Sequence, residues 1–124
     1  MNSQQAYDEF WNSFGVDAFE ESTVPDDAFA TRDAYITYTA ASDEFDRTVS
    51  LTASVWRRST KWKEITELAA LIEERIGRGG HVVWYDGGGI WIKRGTPWAQ
   101  RMSDTDPAIR RIFMNIEVEY FTTV

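Results

Sequence analysis

The chain has 124 residues, a formal net charge of −7 and a hydrophobic content of 43%, with eighteen aromatic side chains. This length suits one domain with a single core. The lack of cysteine excludes disulfides and thiolate metal sites, and no apolar run approaches the ~20 residues of a membrane helix. Because the first residues also lack the pattern of a signal peptide, we expect a soluble protein made in the cytoplasm.

The first half of the chain predicts a helix followed by two strands. Apolar residues at helical spacing favour a helix over residues 3–14, with Ser3 as its N-cap. Residues 15–33 are acidic and are expected to form an exposed, irregular connection. Residues 34–40 are rich in β-formers and residues 47–57 alternate apolar and polar side chains, which predicts a hairpin turning at residues 42–44.

The middle of the chain predicts a second helix and a second hairpin. The helix is expected to begin after Ser59 or Thr60 and to end at Gly77. Apolar residues recur along it at 3.6 spacing and should cover a sheet. They are Trp62, Ile65, Leu68, Ala69, Ile72 and Ile76. Residues 82–85 and 90–93 flank Asp86-Gly-Gly-Gly89, which is typical of a tight hairpin turn.

The last third joins a loop over residues 95–104 to a long final strand. Alternation along this strand predicts a core-facing set of side chains. These are Ile112, Met114, Ile116, Val118 and Tyr120. Phe113 and Phe121 should then lie on the opposite face, together with Trp91 and either Trp84 or Tyr85.

These elements predict an α+β fold with an antiparallel or mixed β-sheet of four to five strands and two helices packed mainly on one face. We expect a single domain over residues 1–124, in which residues 1–33 form the first helix and the acidic connection and residues 34–124 form the sheet with its central helix. Aromatic side chains on the uncovered face favour a partner surface. The alternative is a small second core covered by the first helix.

Charge is distributed unevenly along the chain. Residues 1–46 carry eleven acidic residues and one basic residue, whereas residues 47–124 carry twelve basic and nine acidic residues. This asymmetry suits head-to-tail self-association or an acidic surface that repels nucleic acid. A solvated acidic surface that aids solubility is the simpler interpretation.

No catalytic, metal or cofactor motif stands out. His81 is the single histidine, and Asp26-Asp27 and Asp104-x-Asp106 lack the spacing of a calcium loop. The glycines of residues 77–80 and 87–89 are not followed by the lysine of a phosphate-binding loop. We therefore expect a protein that is not an enzyme and that uses no metal and no cofactor.

Nucleic-acid binding is a weaker hypothesis. Several basic residues surround the central helix, namely Arg57, Arg58, Lys61, Lys63, Arg75 and Arg78. The sequence pI near 4.6 opposes a phosphate-binding role. Glu117 and Glu119 also place negative charge on the last strand.

Several blocks of the chain, in order over residues 21–121, resemble the small tail-terminator proteins of long-tailed bacteriophages and prophages of Gram-positive bacteria. These proteins are also described as tail-completion, head–tail joining or minor capsid proteins. The blocks are Glu21-Ser-Thr-Val-Pro-Asp-Asp27, Tyr35-Ile-Thr-Tyr38, Leu51-Thr-Ala-Ser-Val-Trp-Arg-Arg-Ser59, Ile76-Gly-Arg-Gly-Gly80, Asp86-Gly-Gly-Gly-Ile-Trp-Ile92 and Gly95-Thr-Pro-Trp-Ala-Gln-Arg-Met-Ser-Asp104.

The resemblance implies a structural virion protein at the head–tail junction, assembled in the host cytoplasm. Members of that family are α+β subunits that form a hexameric ring on the tail tube, halt tube growth and dock the head. The implied partners are further copies of the chain, the tail-tube protein and a head-completion or stopper protein. DNA passes only as cargo, and no membrane is involved.

The resemblance also suggests contact residues. Trp98, Arg101 and Met102 are the expected contact loop, and Phe113, Phe121 and Trp91 are further anchors. An acidic region over residues 15–46, with Asp26 and Asp27, is expected to meet the basic region over residues 57–78, with Arg57 and Arg58, in the next subunit.

Two alternatives remain open. From the same class, the chain could be another neck protein or a tail-tube subunit. From a different class, it could be a small monomeric module that binds a ligand or nucleic acid. An enzyme ranks third and would require a role for His81.

Overall fold

The computed structural model describes residues 1–40 and 47–123. Within these residues the chain forms two α-helices and six β-strands, with short 3₁₀ turns at Glu21–Thr23 and Ala28–Ala30. The elements in chain order are α1 (Ser3–Trp11), β1 (Ala18–Glu20), β2 (Ala34–Tyr38), β3 (Thr48–Arg58), α2 (Lys63–Ile76), β4 (His81–Tyr85), β5 (Gly88–Met102) and β6 (Ile109–Thr122). The turn predicted at residues 42–44 lies outside the described residues.

The strands form one mixed sheet in the order β1-β2-β3-β6-β5-β4. β1 and β2 are parallel, and every other neighbouring pair is antiparallel. The α+β class is therefore confirmed, but the expected count of four to five strands is wrong. The additional strand is β1, which lies within residues 15–33, where an irregular connection was expected.

Both helices pack on the same face of the sheet. α2 contacts β3, β5 and β6, and α1 contacts β1, β4 and β5. Four of the apolar residues predicted to line one side of α2 are buried, namely Ile65, Ala69, Ile72 and Ile76. They pack with buried side chains of α1 and of the sheet in one core. The first helix therefore does not cover the second face of the sheet, contrary to the alternative considered from sequence.

Both helix starts and the end of α1 differ from the prediction, whereas the predicted stop of α2 at Gly77 is confirmed. Asn2, rather than Ser3, caps α1, because its Oδ1 accepts a hydrogen bond from the backbone N–H of Gln5 while the Gln5 side chain accepts from the N–H of Asn2. α1 ends at Trp11, yet Phe14 is still buried beyond it. α2 has Trp62 at its N-cap position and Gly77, which has a φ of 70°, as its C-cap.

The segment predicted as a loop over residues 95–104 is mostly strand. β5 pairs with β6 on both sides of an irregularity, with Arg94 opposite Ile116 and Ala99 opposite Met114. Residues 95–98 bulge at this point, with a cis Thr96–Pro97 peptide, and the side-chain amide of Asn115 donates to the Pro97 carbonyl at 2.7 Å. A β-bulge redirects the side chains that follow it, so the faces of residues 98–102 do not follow from alternation alone.

The hairpin between β4 and β5 turns at Asp86 and Gly87. Gly87 has a φ of 91°, a conformation that glycine adopts without a steric penalty. The alternation predicted for β6 is confirmed, because all five residues expected to face the core are buried.

Candidate interaction surface

The face of the sheet that the helices leave uncovered is the candidate interaction surface, and we refer to it as the open face. Phe113, Phe121 and Trp91 lie on it, as expected, because they alternate with buried residues of β5 and β6. Trp84 also lies there, opposite Gly89, whereas Tyr85 does not. The middle of this face is polar, and aromatic side chains concentrate at its two ends.

One end is a network of contacting aromatic rings, of which one pair is stacked, and we call it the cation–aromatic end. It comprises Phe19, Phe29, Tyr35 and Trp56 with Arg32, Arg58 and Arg111. Tyr35 and Trp56 stack at 6.0 Å between ring centroids and 13° between planes, and Phe29 approaches Tyr35 at 4.9 Å. The indole N–H of Trp56 donates to the Thr37 hydroxyl at 2.9 Å. Burial is the main reason that the pKa of Tyr35 is raised, with Asp104 adding to it, so this phenol stays neutral around pH 7.

Three arginines complete the cation–aromatic end. Arg32 lies 4.9 Å from the Phe19 ring centroid, Arg58 lies 5.4 Å from that of Phe29, and Arg111 lies 4.6 Å from that of Trp56. Each guanidinium is also fixed by a hydrogen bond, to Asp17, to the Phe29 carbonyl and to the Ser54 hydroxyl respectively. Arg58 and Tyr35 hold Phe29 against the sheet, so part of the segment 15–33 is packed rather than exposed. Ten of its nineteen residues are nevertheless exposed, as expected.

The opposite end, which we call the exposed aromatic end, comprises Trp84, Trp91 and Phe121. Trp84 is 64% exposed and Trp91 is 38% exposed. Trp84 meets Phe121 edge-to-face at 5.4 Å between centroids. Lys93 lies 4.4 Å from the Trp91 ring centroid, and the Trp91 indole donates to the Gly79 carbonyl at 2.8 Å.

The three residues expected to form a contact loop do not share one surface. Trp98 is half-buried and packs against the core, beside a depression that α2 also lines. Arg101 lies on the same side, with its guanidinium 4.8 Å from the Trp62 ring centroid. Met102 is 37% exposed and lies opposite Arg111, on the open face.

The two consecutive arginines expected to act together lie on opposite faces of β3. Arg57 forms an ion pair with Glu64 of α2, and Arg58 covers Phe29 on the open face. Asp26 and Asp27 are exposed just before the 3₁₀ turn Ala28–Ala30.

A group of basic residues lies around Trp62: Arg101 and Arg110 cover its ring on the helix side of the sheet, and Lys61 and Lys63 are its neighbours in the chain. We call it the Trp62 basic patch, and its members are Lys61, Trp62, Lys63, Arg101 and Arg110. Arg110 lies 5.3 Å from the Trp62 ring centroid and donates to the Thr60 carbonyl at 2.8 Å. Lys61 and Lys63 are exposed and have no ion-pair partner within the described part of the chain. Arg110 was not among the basic residues predicted around the central helix. The sequence of β6 alone does not show that this strand brings Arg110 next to the start of α2.

The chemistry available elsewhere is limited. His81 is half-buried against Phe10, and burial, followed by the nearby Arg75, lowers its pKa, so the imidazole is neutral around pH 7. Across residues 1–40 and 47–123, no three His, Cys, Asp or Glu side chains lie close enough together to hold a metal ion. Neither described helix is long and apolar enough to cross a membrane.

No protein-family model matches the chain, and no curated protein or solved structure is significantly similar to it.

Proposed function

We propose that this chain is a tail-terminator subunit that forms a ring on a phage tail tube and joins the tail to the head. The observation that best supports this role is the exposed aromatic end of the open face. A tryptophan exposed to 64% beside a second exposed tryptophan is typical of a partner surface rather than of a solvated sheet face. The tail tube and the head enter this proposal as partners because the sequence blocks resemble tail-terminator proteins.

Separated charges support a repeated contact between identical subunits. Glu21, Asp26 and Asp27 are exposed on one side of the chain, and the Trp62 basic patch offers the ammonium groups of Lys61 and Lys63, which form no ion pair with the residues that the structure describes. Contact between two different surfaces of the same subunit, repeated around an axis, closes a ring. Because Arg57 and Arg58 already bind groups of their own subunit, we assign the intersubunit contact to Lys61 and Lys63 instead.

The role requires no turnover. A ring lined by carboxylates would repel the DNA backbone, so DNA could pass without adhering. The net charge of −7 is consistent with such a lumen.

Complementation tests the proposal. A phage or prophage deleted for this gene is supplied with wild-type protein or with a Lys61→Ala/Lys63→Ala double variant, and particles are viewed by electron microscopy. We expect the double variant to give a folded subunit with heads and tails unjoined, because both lysines are exposed. Arg94→Ala, which removes an arginine paired with Glu73, should join tails normally. Full complementation by the double variant would remove both lysines from the contact.

The same deletion separates the neighbouring roles. Loss of a terminator should leave free heads and tails of irregular length, because nothing halts tube growth. Loss of a tail-tube subunit should leave no tails. A monomeric ligand-binding module, the alternative from a different class, predicts normal particles in the deletion strain.

A further inference from the structure

A depression on the open face, beside the cation–aromatic end, has the properties of a small binding site. Its volume is about 180 Å³, and it opens to solvent. Its floor is the cross-strand row formed by Thr37, Ser54 and Phe113, which the register places side by side on β2, β3 and β6. Trp56 and Arg111 of the next row form one wall, and the segment at Glu21 and Val24 forms the other.

Two buried hydroxyl groups in this floor retain unused donors. Thr37 is 8% exposed and accepts a hydrogen bond from the Trp56 indole, while Ser54 is 2% exposed and accepts one from Nε of Arg111. Neither hydroxyl proton has an acceptor among the residues that the structure describes. A buried donor without a partner costs about 1–3 kcal/mol, so the depression favours a ligand that brings acceptor atoms.

Arg111 adds a fixed positive charge. Its guanidinium is held 4.6 Å from the Trp56 ring centroid and 5.6 Å from that of Phe113, and its Nε is anchored on Ser54 at 3.0 Å. Its terminal nitrogens have no hydrogen-bond or ion-pair partner in the described ranges. A guanidinium ordered in this way offers two parallel N–H groups, which match the two oxygens of a carboxylate.

The other residues that line the depression limit the kind of ligand it can bind. Phe113 and Val24 present apolar surface next to the donors, which suits a short hydrocarbon stem. Glu21 lines the rim and would repel a second negative charge, so a monoanion is favoured over a phosphate dianion.

We propose that this depression binds a carboxylate group carried on a short apolar stem. This inference does not rest on the terminator role.

Titration with a pair of isosteric ligands tests the proposal. Sodium propionate and neutral propionamide are added to the ¹⁵N-labelled full chain at constant ionic strength, and the indole N–H signal of Trp56 is followed by NMR. We expect saturable binding of propionate with a Kd on the order of millimolar, and propionamide weaker by at least ~10-fold. Equal affinity for the two ligands would overturn the proposal, and so would the absence of saturable propionate binding.

Variants locate the site. Arg111→Gln should weaken propionate at least ~10-fold, while Arg94→Gln, which removes an arginine of the helix-covered side, should not change the affinity. Thr37→Val retains the charge and removes one hydroxyl, so it should weaken binding by a smaller factor. Unchanged affinity in a folded Arg111→Gln protein would contradict the assignment. If that variant does not fold, Thr37→Val and the propionamide comparison decide.

A second titration shows whether the natural carboxylate belongs to a protein side chain or to a free small acid. A capped Ala-Glu-Ala peptide is compared with Ala-Gln-Ala and with propionate. Tighter binding of the glutamate peptide than of propionate would identify a protein side chain as the natural occupant. Tighter binding of propionate would identify a free small carboxylic acid.

Discussion

The two ends of the open face use similar side chains with different results. At the cation–aromatic end, Trp56 is stacked by Tyr35, covered by Arg111 and hydrogen-bonded to Thr37. At the exposed aromatic end, Trp84 meets one ring, that of Phe121, and remains 64% exposed. The difference arises because residues 17–33 fold over the first end, whereas no described segment covers the second.

This contrast separates aromatic residues that stabilise the subunit from those that are available to a partner. An aromatic side chain that other groups enclose stabilises the fold through its buried apolar area. An aromatic side chain exposed to water buries that area only when a partner binds. The two ends should therefore respond differently to the same kind of mutation.

The largest expected effect is at Trp56. Trp56→Ala removes the stack with Tyr35, the support for Arg111 and the hydrogen bond that the indole donates to Thr37, and it should lower the free energy of unfolding by about 2–4 kcal/mol. Urea unfolding followed by circular dichroism measures this value. A loss no larger than that of Trp84→Ala would erase the proposed difference between the ends.

A smaller loss is expected at Gly89, beneath the exposed aromatic end. A methyl group there would overlap the Cζ carbon of Phe121, so Gly89→Ala must displace that ring from Trp84, at a cost of about 1–3 kcal/mol. Gly79→Ala is the matched control, because an added Cβ there meets nothing within 4 Å. Thermal unfolding of both variants should show a lower Tm for Gly89→Ala alone.

Arg58 and Lys93 each lie over an aromatic ring, at opposite ends of the open face, and their removal should cost different amounts of stability. Arg58→Met should cost about 1 kcal/mol, because Arg58 covers Phe29 and also binds its carbonyl at 3.1 Å. Lys93→Met should cost about 0.5 kcal/mol or less, since its pair with Glu119 spans 3.8 Å and is partly solvated. Urea unfolding at low and high salt should show these losses, and the reverse ranking would contradict the account.

The smallest effect on stability is expected at Trp84. Trp84→Ala should change the free energy of unfolding by no more than about 0.5 kcal/mol, because most of the side chain is already in water. The same variant should nevertheless fail in head–tail joining in the complementation assay. A variant that joins tails normally would exclude Trp84 from the interface.

Periodic elements could be predicted from the sequence. The stripe of α2 and the alternation of β6 repeat over enough residues to fix which side chains face the core, and the structure confirms both. β1 was missed because three residues inside an acidic segment show no period. Its pairing with β2 depends on a tertiary contact that local sequence does not encode.

The contact residues were harder to place because their directions depend on irregular structure. A loop was predicted over residues 95–104, yet β5 resumes after the bulge with its faces reset, which places Trp98 and Met102 on opposite sides of the sheet. Arg57 and Arg58 were grouped by their proximity in sequence, although neighbouring residues of a strand point to opposite faces. Trp91, Phe113 and Phe121 were assigned correctly to the open face, because their placement depends only on alternation. The aromatic residues of the cation–aromatic end were not predicted.

The most direct test of the partner surface is hydroxyl-radical footprinting of the monomeric and the high-molecular-weight fractions of one lysate. Mass spectrometry reports the oxidation of Trp84 and of Trp56 in each fraction. The account predicts that Trp84 is oxidised readily in the monomer and is protected in the large assembly, while Trp56 is oxidised little in both. Equal oxidation of Trp84 in the two fractions, or the lack of any assembled fraction, would contradict it.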